Sequence, residues 1–210
     1  MDPQDSAPSD LFLARLTDAM LELAPDSGWT QATLSRAGEK AGLTQGQALL
    51  AAPNGVADVL EAFGQRAALA AGAGVKAADN LKVRQKVRAG VKGWLGALGA
   101  HKAAVKRAAA TPANLLTGPK GLWAAADAIW AALGDKSTDY NWYTKRMTLS
   151  AVLASTLAAW MGTDDEAQVD DFLDRRIENV MQFEKLKAQA KDAFAKMPDP
   201  MDFFGARKTS

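Results

Sequence analysis

The sequence predicts an all-α fold, and two observations carry that prediction. Alanine dominates the apolar residues, which make up 48% of the 210-residue chain, while Val, Ile, Tyr and Phe are sparse. Alanine favours helix where β-branched and aromatic residues favour strand. Apolar residues also recur at three- and four-residue spacing in one segment after another, the period of a helix with one buried face. A chain of this length and apolar content can bury a core as one domain or two small ones.

Ser9 or Asp10 marks the start of a first helix carrying Phe12, Leu16, Met20 and Leu23, expected to stop before Pro25. Thr30 caps the next, with Trp29 placed to pack on Leu34 and Gly42 closing it in a left-handed cap. Thr44 and Gln47 form a capping box for a short third helix ending near Ala52 and Pro53. Together the second and third helices make a helix-turn-helix shape. Asn54 is the expected cap of a fourth helix bearing Val56, Leu60, Phe63 and Ala67, loosened after Gly72 and Gly74.

The fifth helix places Val83, Val87, Val91, Trp94 and Leu98 on one stripe. Lys82, Arg84, Lys86, Arg88 and Lys92 lie outside it, the strongest local charge in the chain. A further helical stretch spans residues 101–110, and Pro119 opens another with Leu122, Ala126, Ile129 and Leu133 inward, ended by Gly134. The helix capped by Ser137 or Thr138 runs to Met161 and is apolar on nearly every side, which predicts protein all round it. The last long helix presents Val169, Phe172, Leu173, Ile177, Val180 and Met181, with the tail beginning near Lys185.

Composition excludes several chemistries. The chain has no Cys, hence no thiolate nucleophile, iron–sulfur cluster or thiolate zinc site. Its single histidine, His101, is read as a solvated residue at a helix start. No phosphate loop and no Glu-x-x-His occurs. Asp170 and Asp174 would do general acid/base work only inside a cleft, so neither an enzyme, a cofactor nor a metal site is expected. With 25 basic against 24 acidic residues, no global field recruits polyanions. The first nine residues read as an acidic, Pro-rich disordered tail, not a secretion signal. The longest uncharged stretch, residues 147–163, falls short of the roughly 20 apolar residues that span a bilayer.

One run stands apart: residues 134–146, GDKSTDYNWYTKR, crowd Tyr140, Trp142 and Tyr143 among charges. Interfaces concentrate aromatics and arginine, yet a helix start dropping its rings into the core has the same composition. Asp139, Trp142, Tyr143 and Arg146 share one side at helical spacing, so an outward patch is geometrically possible.

The N-terminal pattern Gly28, Thr30, Ala41, Gly42, Leu43 resembles the TetR-like regulators. Residues 44–50, TQGQALL, carry no Arg or Lys for phosphates, so nucleic-acid binding is not expected. A TetR-like ligand-responsive regulator is the alternative function. The GDKSTDYNWYTKR run, with WAAADAIW (residues 123–130) and FLDRRIENVMQF (residues 172–183), closely resembles the ninth Coq protein family of ubiquinone biosynthesis.

That resemblance covers roughly residues 10–187 and implies a TetR-like multi-helix bundle that no longer regulates genes, with C-terminal dimerisation helices and a lipid-holding pocket. It implies a lipid-binding accessory protein that presents an isoprenoid quinone precursor to a membrane-associated hydroxylase. Partner contacts are then expected at Asp139, Trp142, Tyr143 and Arg146, with Lys145 departing from the family's frequent arginine. Lipid contacts are expected from the stripes at Val91, Trp94, Leu98, Leu122, Trp123, Ile129 and Leu153. A C-terminal amphipathic helix would grip a membrane surface through Leu186, Phe194 and Met197. The organisation that follows is a tail (1–9), a helix-turn-helix-like part (10–72), a lipid-binding and dimerisation part (73–184) and a short amphipathic helix with flexible tail (185–210). A homodimer is expected at the cytoplasmic face of the inner membrane.

Overall fold

The computed structural model describes residues 7–111, 114, 118–138 and 140–195, with side chains described as far as residue 182. Regular structure among these residues is entirely helical: α1 (Pro8–Ser27), α2 (Gln31–Lys40), α3 (Gln45–Ala51), α4 (Val56–Ala77), α5 (Val83–Gly99), α6 (Lys102–Ala109), α7 (Gly118–Ala132), α8 (Tyr140–Gly162) and α9 (Glu166–Ala195).

The N-terminal third follows its caps. Thr30 Oγ1 accepts the Thr33 N–H at 3.1 Å, and the Thr44–Gln47 capping box closes in both directions. Gly42 turns the chain between α2 and α3 at φ 65°, a conformation that costs a side-chain-bearing residue 1–2 kcal/mol, roughly. Two boundaries differ from expectation. α1 runs past Pro25 for one more turn, to Gly28; near a helix end the proline forfeits only one helical hydrogen bond. Asn54 does not cap α4; Gly55 occupies that position, and the Asp58 carboxylate accepts from the Asn54 backbone N–H at 2.7 Å. Trp29 is buried and donates its indole N–H to the Ala104 carbonyl at 2.9 Å, tying the α1–α2 turn to α6. α3 leaves Leu49 and Leu50 exposed.

α4 is continuous through Gly72 and Gly74. These glycines do not loosen the helix; they let a neighbour close in. A Cβ on Gly74 would lie 2.5 Å from the Ala89 carbonyl oxygen, and one on Gly93 2.6 Å from that of Ala70. α4 and α5 therefore cross with backbone against backbone, and α7 packs on the same α4, putting Val59, Val75, Val91 and Ile129 at the centre of the core.

The basic face of α5 is not free. Arg84 pairs with Glu178 (2.5 Å), Arg88 with Asp174 (2.8 Å) and Asp170 (3.0 Å), and Lys92 with Asp170 (2.7 Å). Cations four residues apart on α5 meet carboxylates four apart on α9 in descending order, so the two helices run antiparallel with one turn per rung. Asp170 is held below the usual carboxylate range: burial works against this, but the Lys92 hydrogen bond and the Arg88 charge outweigh it. Asp170 and Asp174 thus belong to a structural ladder.

α8 departs from the expectation of protein on every side. Leu149, Val152, Leu153 and Thr156 are buried, while Met147, Ala151, Ala154 and Ala158 form an exposed stripe on the opposite face. α9 continues through Lys185 to Ala195 without a break. No helix of the described residues is long and apolar enough to cross a membrane.

Two glycines on α5 separate packing from propensity. At Gly93 an added methyl must move backbone, an overpacking cost of about 1–3 kcal/mol; at Gly96 it meets nothing within 4 Å and gains up to about 1 kcal/mol of helix propensity. Gly93→Ala is expected to lower the melting temperature and Gly96→Ala to raise it, in thermal denaturation of the two variants side by side.

Candidate functional site

Spacing on α7 sets up the site. Trp123, Asp127 and Trp130 lie four and three residues apart, on one side of that helix. α8 answers with Trp142, Lys145, Arg146 and Leu149. Gly134, at φ 76°, makes the turn between the helices and delivers Asp135 beneath α8.

Arg146 is the buried centre, 3% exposed. Its Nε donates to Asp127 Oδ1 at 2.6 Å, and its Nη1 to Asp135 Oδ2 at 3.1 Å and to the Trp142 carbonyl at 3.2 Å. The guanidinium also lies 4.0 Å over the Trp142 ring, a cation–π contact strengthened by the exclusion of water. Asp135, 5% exposed, is shared: its Oδ1 accepts from Lys145 Nζ at 2.7 Å and from the Ser137 hydroxyl at 2.7 Å. Lys145 sits 5.2 Å over the Trp130 ring, whose indole N–H donates to the Lys145 carbonyl at 3.2 Å. The Asp135 carboxyl is consequently held far below the ordinary carboxylate range, first by the Lys145 hydrogen bond, then by Ser137, against the opposing effect of burial, with Arg146 adding to the shift.

On this network rests an aromatic cluster. Trp142 packs against Trp123 at 5.7 Å and Tyr143 at 4.8 Å between ring centroids. Tyr143 and Tyr140 project outward, 57% and 76% exposed. The expected contact set therefore divides. Tyr143 faces solvent, Trp142 is half-buried, and Asp139 lies outside the described residues. Arg146 does not face outward as expected: a guanidinium with two carboxylates and an indole face to meet is better satisfied inside.

A groove of about 540 Å³ opens beside the cluster. Its walls are Val83, Arg84 and Val87 of α5, Trp130 of α7, Asn141, Thr144, Lys145, Thr148, Leu149 and Val152 of α8, and Ile177, Val180 and Met181 of α9. None of the seven residues expected to contact lipid lines it. Trp94, Leu98 and Leu122 line a smaller cavity of about 180 Å³ among α4 to α8. Val91, Ile129 and Leu153 are fully buried core, and Trp123 belongs to the aromatic cluster. The stripes were read as pocket walls, but the most central apolar positions are filled by packing; the groove is built where stripes end, at half-exposed positions such as Val83 and Met181. Of the expected membrane contacts, Leu186 and Phe194 fall on α9 beyond the described side chains, and Met197 lies outside the described residues.

A third cleft, of about 450 Å³, lies where α5 meets the α8–α9 turn, but its lysines are already paired: Lys92 with Asp170, and Lys102 with Asp164 at 2.6 Å. His101 is half-buried and meets Phe63 edge-on at 5.8 Å. The described residues hold no group of three or more His, Asp or Glu placed to bind a metal ion.

Removing Asp135 takes from Lys145 its carboxylate partner and from the buried Arg146 one of its two. Asp135→Ala is expected to cost about 3 kcal/mol, and Tyr143→Ala about 1 kcal/mol or less, in urea unfolding. The sign with pH is fixed. A carboxyl whose folded pKa lies below its unfolded value of 3.8 contributes stability that is complete above that value and is lost as pH falls towards the folded one. The gap between wild type and Asp135→Ala is therefore constant around neutrality and narrows below about pH 4.

Comparison with known proteins converges on the same segment. A COQ9 family model matches residues 115–184, which hold α7, α8, their turn and most of α9. The chain is 28% identical over 191 residues to the Ubiquinone biosynthesis protein COQ9, mitochondrial, of Rattus norvegicus, covering 84% of this chain and 61% of that protein. It is 26% identical over 197 residues to the Homo sapiens protein of the same name, covering 84% of this chain and 60% of that protein. It is 32% identical over 81 residues to a Dictyostelium discoideum protein named as a probable mitochondrial ubiquinone biosynthesis protein coq9, covering 37% and 26%. The chain thus spans about 60% of the length of the first two relatives. Residues 115–184, which supply the buried arginine, its carboxylates, the aromatic cluster and most of the groove, match the COQ9 family model, and the chain is similar to COQ9 proteins over most of its own length.

Proposed function

We propose that this chain serves ubiquinone biosynthesis as a non-catalytic lipid-binding protein, holding an isoprenoid quinone precursor in the α5–α8–α9 groove and presenting it to a hydroxylase docked on the Trp142–Tyr143 cluster. The relatives' names supply the pathway. One observation carries the rest of the reading: the groove and the exposed aromatic cluster are built by the same two turns of α8. Asn141, Thr144, Lys145 and Thr148 line the groove, while Trp142 and Tyr143 form the cluster between them. A molecule lying in the groove is then within one helix diameter, about 10 Å, of anything docked on the rings.

The groove's size lies in the range of small-molecule sites, and its walls are mostly apolar. Aromatic rings flanked by neutral contacts are what docking hot spots use. The same proposal includes a homodimer through the outer faces of α8 and α9, where Met147 and its alanine stripe stand exposed. It includes contact with a membrane surface near the end of α9, where the sequence interleaves lysines with Leu186, Phe194 and Met197.

Two measurements test this reading. Mass spectrometry of an organic extract of the purified protein is expected to find an isoprenoid lipid, depleted in Val152→Glu, which puts a charge in the groove wall; lipid-free protein that binds no quinone contradicts it. In pull-downs, Tyr143→Ala is expected to weaken capture of the hydroxylase at least about tenfold, the loss of a typical hot spot, with the melting temperature nearly unchanged. Undiminished capture contradicts the docking surface.

A further inference from the structure

We infer that Lys145 anchors the head of the groove's ligand, that this head is an anionic or strongly accepting oxygen group, and that Asp135 transmits its binding to Trp142. The inference rests on the proposal that the groove holds an amphiphile, and adds which end enters where and what the cluster senses.

Lys145 lines the groove and is the one ammonium among the described residues of its walls. Two of its three N–H groups are spent, on Asp135 Oδ1 at 2.7 Å and on the Ser137 hydroxyl at 2.8 Å, which leaves one for a ligand. Its charge is only half answered. Asp135 is shared between Lys145 and Arg146, and Asp127, 46% exposed, meets Arg146 alone. Lys145, 37% exposed, thus shares its one carboxylate with the buried Arg146, and an anionic oxygen in the groove would meet the ammonium as well. Arg84, the other cation of the walls, is matched one-to-one by Glu178. The polar end is therefore the Lys145 end, and the tail lies along Val87, Val152, Ile177 and Val180.

Transmission follows from shared hydrogen bonds. A ligand oxygen that draws on Lys145 weakens its hold on Asp135 Oδ1, and the freed carboxylate binds Arg146 more strongly through Oδ2. Arg146 lies over the Trp142 ring at 4.0 Å, so a shift of the guanidinium is felt by the ring that packs on both Tyr143 and Trp123. Groove and cluster then form two sites with a coupling energy, which acts equally in both directions.

The test uses delipidated protein and two probes with the same C15 isoprenoid tail, farnesoic acid and the hydrocarbon farnesene. The acid is expected to bind at least about tenfold more tightly, the range of one charge-assisted hydrogen bond. Lys145→Met should erase that preference while leaving farnesene affinity unchanged. With fluorotryptophan incorporated, the 19F resonance lost in Trp142→Phe identifies Trp142. It should shift when wild type binds the acid and stay in place with farnesene, and in Lys145→Met with either probe, although that variant keeps the Arg146–Asp135 pair. Equal affinity for the two probes in wild type, or a preference surviving in Lys145→Met, overturns the head anchor while the groove stands. A silent Trp142 resonance overturns the transmission. Binding of neither probe, including the case where a second copy of the chain closes the groove, overturns the lipid-holding reading and this inference with it.

Discussion

A guanidinium taken out of water must be met from several directions or it costs several kcal/mol, and Arg146, only 3% exposed, is met from each. Asp127 and Asp135 supply charge, the Trp142 carbonyl an acceptor and the Trp142 ring a π-face. Each of these contacts fixes something else. Asp135 must sit under α8, which fixes the turn at Gly134; Lys145 must reach the same carboxylate, which places it in the groove wall; the Trp142 ring is held 4.0 Å from the guanidinium and packs on Trp123 and Tyr143 as well. A buried ion pair is a poor source of net stability but an effective way of fixing one arrangement among several, and here the arrangement fixed is the junction of groove and cluster.

The rest of the bundle supports that junction from two sides. On one, α4, α5 and α7 pack closely through glycines and alanines, so Val91 and Ile129 are fully buried at the apolar centre. On the other, α9 lies against α5 through a ladder of ion pairs, with few backbone contacts. Pairs of this exposure are individually worth about 1 kcal/mol or less, and they span a wider gap than interdigitated side chains would. Val87 of α5 and Val180 of α9 both line the groove.

Helix existence and most caps were legible because they depend on neighbours in sequence: the Thr44–Gln47 box and the left-handed glycines at 42 and 134 formed as their spacing predicts. The likeness to COQ9 proteins was legible for a similar reason, its motifs being local runs on α7, α8 and α9. What the sequence hid was pairing across distance. The cations of α5 read only as the strongest local charge in the chain, because nothing local says that residues 84 and 178 meet. Arg146 read as a surface residue for the same reason: its burial depends on Asp127 and Asp135, 19 and 11 positions away. The spacing of Trp123, Asp127 and Trp130 on one side of α7 was the signal available, an acid set between two indoles on a face that otherwise asks for apolar residues. The stripe positions expected to face lipid lie in the core, the aromatic cluster or the smaller cavity and not in the groove, because a hydrophobic stripe marks what is buried, and the middle of a stripe is packed more tightly than its ends.

The proposed ligand site lies beside the α7–α8 network and not in the smaller cavity at Trp94, Leu98 and Leu122. Photo-crosslinking with a diazirine-bearing isoprenoid, followed by peptide mapping of the adducts, decides between the two places. The account predicts adducts on residues 83–87, 144–152 and 177–181. Adducts confined to the peptides carrying Trp94, Leu98 and Leu122 would contradict it.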